Sequence, residues 1–381
     1  MHIALYNLTT TTKIGGVESF VWDLGRQLIE RGHRVSMLGG VGLRREPIAG
    51  VRVLAFPFIS RRVWQAIPPL RRAYAEAKLL ERLTFAVPAL PHLIHGGYDI
   101  VHIQKPYDLA PVLLARSLGG PRVVLGCHGE DWYVADWHLA RHVDAAVSCS
   151  HFNAQTVAAR YGFTPAVIFN GIDLSLFGPG DADTELRADL RTRGYRVDAS
   201  TPLLLSVGRL QPWKGVDIVI QSLFYMHTNP QPALIIAGDG EERSRLEALV
   251  QASGMQQRVA FLGSIPRTDL PRLYRSVDLL VATSFASETF GITLVEAQAC
   301  GLPVVASRFG GFPEVIAEDQ TGLLVTPRDP QALAGAISQL LNDAPRRQQM
   351  AAAAPAWAAQ FSWPAVTDRV EAAYRLALAA N

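Results

Sequence analysis

The chain has 381 residues, which exceeds the usual size of a single hydrophobic core and predicts two domains. Hydrophobic residues make up 49% and charged residues 18% of the sequence, a composition typical of a globular protein and not of a disordered one. The 36 basic and 34 acidic side chains give a net charge of +2, which excludes the strongly basic balance of a typical nucleic-acid-binding protein.

The first half of the sequence alternates short apolar strands with helices. Residues 20–32 are amphipathic at helical spacing and end at Gly32, which predicts a helix. Apolar segments rich in β-branched residues predict strands at 2–7, 34–38, 98–104, 122–129 and 144–150. Such alternation is typical of a parallel sheet with right-handed crossovers.

From about residue 201 the same pattern begins again. Predicted strands lie at 202–208, 233–238, 259–263, 278–284 and 303–307. The residues around 170–180 are rich in glycine and proline and predict a linker, and the last helical pattern is interrupted by Pro364. The sequence therefore predicts an α/β protein with two Rossmann-like domains.

Two glutamates lie around the start of one helix in the second half. Glu288 belongs to a polar loop, Gly291 permits a tight turn, and residues 292–300 are apolar at helical spacing until Gly301. Glu296 therefore falls within the helix, whose N-terminal amides form an anion-binding end. Taken alone, such a pair is more often a solvent-exposed loop acid and a charge on the helix surface.

Loops that follow other predicted strands carry groups suited to a diphosphate. Arg209 and Lys214 lie between a strand and a helix, where arginine offers planar bidentate bonds and lysine a compact charge. Gly238 and Asp239 follow the next strand, and glycines occupy 310–311 in a further loop. Open α/β sheets bind their ligands at junctions of this kind.

These motifs, taken in order, resemble glycosyltransferase family 4, whose members are retaining enzymes with the GT-B fold. The matching segments are VGRLQPWKG, AGDG, the glutamate pair with FG after the first acid, and ACGLPVVAS, preceded by IGGVE, CHGED and NGID. The resemblance implies two Rossmann-like domains whose parallel sheets face each other across a cleft. Residues 1–175 would bind the acceptor, 176–361 the nucleotide sugar, and the helix at 362–381 would cross back to the first domain.

The resemblance also implies roles for individual residues. Four would act in catalysis: His128, which lines the sugar site, Arg209 and Lys214 as cations on the diphosphate, and Glu288 on the hydroxyls of the donor sugar. Glu296 would bridge the ribose hydroxyls. Other donor contacts would come from Gly15, Gly16, Gly238, Asp239, Phe290, Gly291 and Ile292, and the base would be recognised through the backbone around Val259, Leu262 and Ile265.

The loop after His128 is the candidate acceptor site. It contains Glu130, Asp131, Trp132 and Tyr133. The aromatic rings suit stacking on an acceptor sugar or lipid, and packing in the core is the competing interpretation.

Positive charge is concentrated in the first half of the chain. Residues 1–180 carry 18 basic and 13 acidic side chains, or +5, and the remaining 18 and 21 give −3. Within 59–84, Arg61, Arg62, Arg71, Arg72, Lys78 and Arg82 alternate with apolar residues. This pattern favours an anionic membrane surface or a polyprenyl-diphosphate acceptor, and a solvated basic face is the alternative.

Other features bear on cofactors and location. The linker acids Asp181 and Asp183 imitate a metal-binding DxD motif, but acids among glycine and proline are ordinarily solvated turn residues, so no essential metal or cofactor is expected. Three widely spaced cysteines do not form a disulfide or zinc framework. No segment has the length of a signal sequence or a membrane span, so we expect a cytoplasmic protein, either free or attached to the inner face of the cell membrane.

Together these features predict a metal-independent retaining glycosyltransferase with a nucleotide-sugar donor, UDP being favoured over GDP. The acceptor would be a glycan, a lipid-linked sugar or a small molecule, and the β-phosphate would take its proton in a same-face substitution. A catalytically silent sugar-nucleotide-binding or scaffold protein remains the alternative from another class. A phosphorolytic or epimerising enzyme is the alternative within the same fold.

Overall fold

The chain folds into two compact units. The computed structural model describes residues 1–13, 15–42, 48–129 and 131–379. The N-terminal unit comprises Met1–Gly171 and Trp363–Asn381, and the C-terminal unit comprises Ile172–Ser362. The sequence predicts the boundaries between these two units at 175/176 and 361/362.

The N-terminal unit is built on a parallel sheet. Its strands within the described residues are β1 (His2–Tyr6), β2 (Arg34–Gly40), β3 (Val51–Phe56), β4 (Ile100–Ile103), β5 (Arg122–Cys127), β6 (Ala145–Ser148) and β7 (Ala166–Val167). They are ordered β3-β2-β1-β4-β5-β6-β7. The helices among them are α1 (Gly16–Glu30), α2 (Arg61–Gln65), α3 (Tyr74–His95), α4 (Leu109–Ser117), α5 (Asp136–Ala140) and α6 (His151–Tyr161).

The C-terminal unit repeats this architecture. Its described strands are β8 (Leu203–Val207), β9 (Ala233–Ala237), β10 (Val259–Gly263), β11 (Leu279–Ala282), β12 (Val304–Ser307) and β13 (Gly322–Val325), in the order β10-β9-β8-β11-β12-β13. All of these pairings are parallel. Its helices are α7 (Leu186–Thr192), α8 (Val216–Ser222), α9 (Arg243–Ala252), α10 (Leu270–Arg275), α11 (Ile292–Ala299), α12 (Phe312–Val315), α13 (Pro330–Asn342) and α14 (Ala344–Ala358).

The two parallel sheets confirm the predicted α/β class. Central strands such as β1 and β8 are buried on both faces, which explains why they are continuous apolar runs in the sequence. Three strands were not predicted: β3, β7 and β13. Each lies at the edge of its sheet. β3 is partly exposed and β7 has only 2 residues, so their sequences carry a weaker apolar signal. β13 is a largely buried apolar run, and nothing in its exposure or length explains why it was not predicted.

The last helix, α15 (Trp363–Ala379), packs on the N-terminal unit. Val366, Val370 and Tyr374 join the apolar cluster around β1 and α1. On the rim of this contact, Arg31 Nη1 donates to Asp368 Oδ1 at 2.5 Å. Pro364 lies in the first turn of α15, where its missing N–H group breaks no helical hydrogen bond.

Among the described residues no helix combines the length and the apolar character needed to cross a bilayer.

Candidate functional site

An ion pair joins two of the predicted site residues in the C-terminal unit. Lys214 Nζ lies 2.6 Å from Glu288 Oε2, and Ser284 Oγ donates to the same carboxylate oxygen at 3.1 Å. Lys214 follows β8 and Glu288 follows β11, and these strands are hydrogen-bonded neighbours. The structure therefore brings the two side chains together because parallel strands end at the same edge of the sheet.

The loop that carries Glu288 is tightly constrained. Gly310 has φ of 61°, and a Cβ atom there would lie only 1.9 Å from the Glu288 carbonyl oxygen. Ser287 is itself left-handed, with φ of 51°, a conformation that costs a non-glycine residue about 1–2 kcal/mol. Strain of this kind is found mainly where the surrounding structure enforces a functional geometry.

A pocket opens beside this ion pair. Its lining includes Gly208, Arg209, Lys214, Ser284, Glu288 and Thr293. The Arg209 side chain is exposed, and its guanidinium makes no ion pair or hydrogen bond with any described part of the chain. Two cations and one carboxylate therefore face a space in which one cation is uncommitted, an arrangement that suits an anionic ligand.

The glycine-rich loops around the pocket approach each other closely. A Cβ atom on Gly238 would lie 1.8 Å from the Gly208 carbonyl oxygen, so glycine is required at this position. Asp239 is engaged in the same turn, because its carboxylate accepts the Gly240 N–H at 2.7 Å and its carbonyl accepts the Leu210 N–H at 2.9 Å. Asp239 therefore shapes the loop in this structure.

Helix α11 begins beside the pocket, as the sequence predicted. Gly291 precedes it with φ of 98°, and Ile292 is its first residue. The Phe290 ring is 2% exposed and packs against Phe361, so the backbone is the part of this residue that is suited to a ligand. The N–H groups at this helix end are those that no earlier turn can satisfy.

Glu296 differs in environment from Glu288. It is 4% exposed and is not among the residues that line the pocket. Arg267 Nε lies 3.4 Å from its Oε1, and the Tyr274 hydroxyl donates to its Oε2 at 3.4 Å. Burial and the Glu296 carboxylate raise the pKa of Tyr274 well above its ordinary value, so this hydroxyl remains a neutral donor.

The predicted base region is divided in the structure. Leu262 and Ile265 line a second pocket of the C-terminal unit, together with Arg272. Val259 is the first residue of β10, is 2% exposed, and belongs to the apolar core. The structure therefore does not bring Val259 together with the other two residues, because it lies at the opposite end of the strand.

In the N-terminal unit, His128 follows β5 and contacts a residue that the sequence did not single out. Its Nε2 lies 2.7 Å from Gln104 Oε1, and its ring lies 5.0 Å from that of Phe20. Burial, Lys105 and His102 lower the pKa of His128 to about 3, so the imidazole is neutral at physiological pH. Gln104 could have been suspected from its position, because it directly follows β4, the strand next to β5.

Asp131 lies in a cluster with two lysines. Its carboxylate accepts a hydrogen bond from Lys78 Nζ and lies 3.1 Å from Lys105 Nζ. Burial lowers the pKa of Lys78 to about 8 although Asp131 opposes this shift. Burial would raise the pKa of Asp131, but the two lysines outweigh it and lower that pKa. Glu130 lies outside the described residues.

The aromatic residues of this loop take part in packing. Trp132 meets Tyr161 edge to face at 5.3 Å, and Tyr133 stacks on Tyr107 at 5.0 Å. Trp132 also packs against the core of the unit. The structure thus favours core packing over the acceptor-stacking interpretation for these two rings.

Two glycines of the N-terminal unit lie at a helix start. Gly15 precedes α1 and Gly16 is its first residue. A Cβ atom on Gly15 would lie 2.6 Å from Glu18 Oε2, so the glycine leaves room for that carboxylate, whose other oxygen accepts the Thr9 hydroxyl at 2.5 Å.

The cations within residues 59–84 differ in exposure, which the sequence did not indicate. Arg82 is 2% exposed and donates to Asp108 at 2.5 Å, and Lys78 belongs to the Asp131 cluster. The inclusion of these two residues in a surface-basic segment was therefore wrong, because α3 turns them toward the interior. The remaining cations are the exposed Arg62, Arg71 and Arg72 and the half-buried Arg61.

No group of three or more His, Cys, Asp or Glu side chains is arranged to hold a metal ion in the parts of the chain that the structure describes. Asp183 of the linker is engaged by protein groups: its N–H donates to Ser276 Oγ at 2.6 Å, and its carboxylate lies 3.5 Å from Arg272. The three cysteines are buried, and none of them takes part in a disulfide bond.

Comparisons with known proteins cover both units. A family model described as Glycosyltransferase Family 4 matches residues 14–176, and one described as Glycosyl transferases group 1 matches 192–357. The D-inositol 3-phosphate glycosyltransferase of Corynebacterium diphtheriae is 32% identical over 292 residues, or 74% of this chain and 66% of that protein. Its Mycobacterium tuberculosis counterpart is 36% identical over 309 residues, 78% and 59% of the two chains. The chain thus spans 59–66% of the length of these curated relatives.

Solved structures share the fold. HepE from Anabaena, in complex with UDP, is 24% identical with a TM-score of 0.76, over 98% of this chain and 99% of that one. Sucrose-phosphate synthase from Thermosynechococcus elongatus is 23% identical with a TM-score of 0.79, over 100% and 99%. At these identities the likeness concerns the α/β architecture alone.

Proposed function

This chain belongs to glycosyltransferase family 4, and we propose that it is a retaining enzyme that transfers a sugar from a nucleotide sugar to a hydroxyl group of its acceptor. The observation that carries this proposal is the exposed, uncommitted guanidinium of Arg209 beside the Lys214–Glu288 pair. Departure of a diphosphate requires stabilisation of negative charge on its oxygens. Arg209 and Lys214 supply that charge from one pocket.

Each pocket group has a role in the proposed reaction. Arg209 and Lys214 bind the diphosphate, and the N-terminal end of α11 directs N–H groups toward it. Glu288, held by Lys214 and Ser284, orients the hydroxyls of the donor sugar. Glu296 lies outside the lining of this pocket, and its role is to bind the ribose. The β-phosphate takes the proton of the acceptor, so no protein base is assigned.

Because side-chain cations carry the leaving-group charge, no divalent metal is required, and turnover with and without EDTA should agree.

The donor is proposed to be a UDP-sugar. HepE, which shares the fold, was solved with UDP and with UDP-glucose, and this supports UDP before GDP. In a thermal-shift panel of UDP, GDP and ADP, we expect UDP to give the largest rise in Tm. At 100 times its dissociation constant a ligand stabilises the folded protein by about 2.7 kcal/mol. An equal rise in Arg209→Ala protein, or no rise with any nucleotide, would contradict the proposed binding site.

Transfer chemistry can be separated from simple binding. We expect slow hydrolysis of the donor in the absence of acceptor, and loss of this hydrolysis in the Glu288→Ala protein. The same variant should still give a thermal shift with UDP, because Glu288 contacts the sugar and not the nucleotide in the proposed complex. Nucleotide binding without any hydrolysis or transfer would indicate the catalytically silent alternative.

The acceptor is assigned to the N-terminal unit. Lys78 of α3, Lys105 after β4 and Asp131 after β5 form a cluster with excess positive charge. The relatives are named for D-inositol 3-phosphate, which supports a small phosphorylated polyol as the first acceptor to assay, before glycans and lipid-linked sugars.

We also propose that this protein attaches to an anionic membrane surface through residues 59–74, here called the basic segment. It contains four arginines and no acidic residue. Val63 is 57%, Ile67 41% and Tyr74 54% exposed, so apolar side chains lie among the cations at the surface. Exposed apolar side chains can enter the interfacial region of a membrane. Arginines can pair there with anionic lipid headgroups.

In flotation assays we expect the wild-type chain to bind phosphatidylglycerol-containing vesicles and not pure phosphatidylcholine vesicles. Neutralising Arg61, Arg62, Arg71 and Arg72 with glutamine should remove most binding, since each cation contributes about 1 kcal/mol near such a surface. A matched control neutralises the exposed Arg34, Arg191, Arg196 and Arg369, which changes net charge equally. Equal loss in both variants, or no loss in the first, would refute the assignment to the basic segment.

A further inference from the structure

The contact between Gln104 and His128 fixes which ring nitrogen of the histidine carries hydrogen. Gln104 Oε1 lies 2.7 Å from His128 Nε2, and Gln104 Nε2 lies 3.4 Å from the His102 carbonyl oxygen. That second contact orients the carboxamide with its oxygen toward His128. A carboxamide oxygen only accepts hydrogen bonds, so the ring hydrogen of the neutral His128 side chain is assigned to Nε2.

The sheet makes room for this contact at one glycine. Gly126 lies on β5, next to the end of β4. A Cβ atom there would lie 2.8 Å from Gln104 Oε1, 2.9 Å from His102 Nε2 and 3.1 Å from His128 Nε2. All three distances are below or near the closest approach that a methyl group tolerates, so the glycine keeps the polar side chains in contact.

We propose that Gln104 is a positioning residue that holds His128 in the neutral, Nε2-protonated tautomer required for sugar transfer. This inference rests on the proposed function together with the role that the family resemblance implies for His128, which is to line the sugar site. Gln104 is 1% exposed and would not itself touch the substrate. Its effect is exerted through the orientation and the proton position of the imidazole.

The tautomer has a chemical consequence. The sugar carbon gains positive charge as the diphosphate departs, so a neutral imidazole avoids the repulsion that an imidazolium would exert on that centre. Among the described groups, His102 and Lys105 act on the ring, and both oppose its protonation.

The test is ring-nitrogen NMR of full-length protein labelled with 15N-histidine, with His128 assigned by its loss in His128→Asn. We expect wild type to show one neutral tautomer, protonated on Nε2. Gln104→Leu should lose this single tautomer and lower kcat for transfer roughly tenfold to a hundredfold, with KM for the donor unchanged. Gln104→Glu, which keeps the shape, should raise the pH at which His128 titrates and add an ionisation to the kcat profile.

Gln298→Leu is the matched control, because Gln298 is also buried and donates to the Leu294 and Val315 carbonyl oxygens at 3.0 and 2.9 Å. It should lower stability without moving the His128 resonances. An unchanged tautomer in Gln104→Leu together with an unchanged His128 titration in Gln104→Glu overturns the inference. A changed tautomer with undiminished kcat supports the positioning of His128 and contradicts instead its role in the proposed transfer.

Discussion

Replacement of Arg209 by alanine is expected to lower kcat/KM for glycosyl transfer by about 10²–10³-fold, the usual cost of losing one preorganised donor to a developing oxyanion. The expected effect is large because the other cation of the pocket cannot replace the Arg209 guanidinium. Lys214 is already paired with Glu288 at 2.6 Å, so the exposed guanidinium is the pocket cation that remains available for a phosphate. Initial-rate kinetics with UDP-sugar as donor provide the measurement.

Two further variants make the Arg209 result specific. Arg209→Lys keeps the charge but removes the planar bidentate geometry, and we expect it to fall between wild type and alanine. Arg191→Ala removes an exposed arginine of the same unit that has no ion pair within the described residues, and it should leave the rate unchanged. Undiminished turnover in Arg209→Ala would end the proposed role of this pocket.

The second large effect concerns stability. Arg82→Met should lower the free energy of unfolding by about 3–5 kcal/mol, because it leaves the buried Asp108 carboxylate without its partner. Arg82 is 2% and Asp108 0% exposed, and Arg82 Nη2 also donates to Asn7 Oδ1 at 3.1 Å. Urea unfolding of the full chain, followed by tryptophan fluorescence, measures the change.

The loss of stability caused by Arg82→Met should depend on pH in a defined direction. Burial raises the pKa of Asp108 above its usual range although Arg82 opposes this shift, and removal of Arg82 raises it further. The folded state then binds a proton more tightly than the unfolded state, so stability rises as the pH falls from neutrality through the raised folded-state pKa. The Arg82→Met deficit should therefore shrink on mild acidification.

Matched variants separate burial from charge. Arg82→Met combined with Asp108→Leu should recover most of the loss, since no uncompensated charge remains. Arg245→Met breaks the exposed pairs with Asp217 and Glu242 and should cost about 0–1 kcal/mol. A similar cost for Arg82→Met and Arg245→Met would show that the buried pair has no special energetic role.

The sequence predicted the elements whose signals are local. Central strands were recognised because both of their faces are buried, and the start of α11 was recognised from Gly291 and the apolar spacing that follows it. The edge strands β3 and β7 were not predicted, since partial exposure in β3 and brevity in β7 weaken the apolar pattern. Lys78 and Arg82 were assigned to a basic surface because a list of charges does not show which side of α3 faces the core.

The sequence by itself determined the α/β class, the repeated strand-and-helix pattern and the loops that carry Arg209, Lys214 and Glu288, because all of these depend on residue types at fixed short spacings. Only the tertiary structure decided which side chains contact each other. Glu288 pairs with Lys214, whereas Glu296 is buried against Arg267 and Tyr274. The contact between Gln104 and His128 joins residues 24 positions apart. Such contacts depend on strand order and on the direction of each side chain, which sequence spacing does not specify.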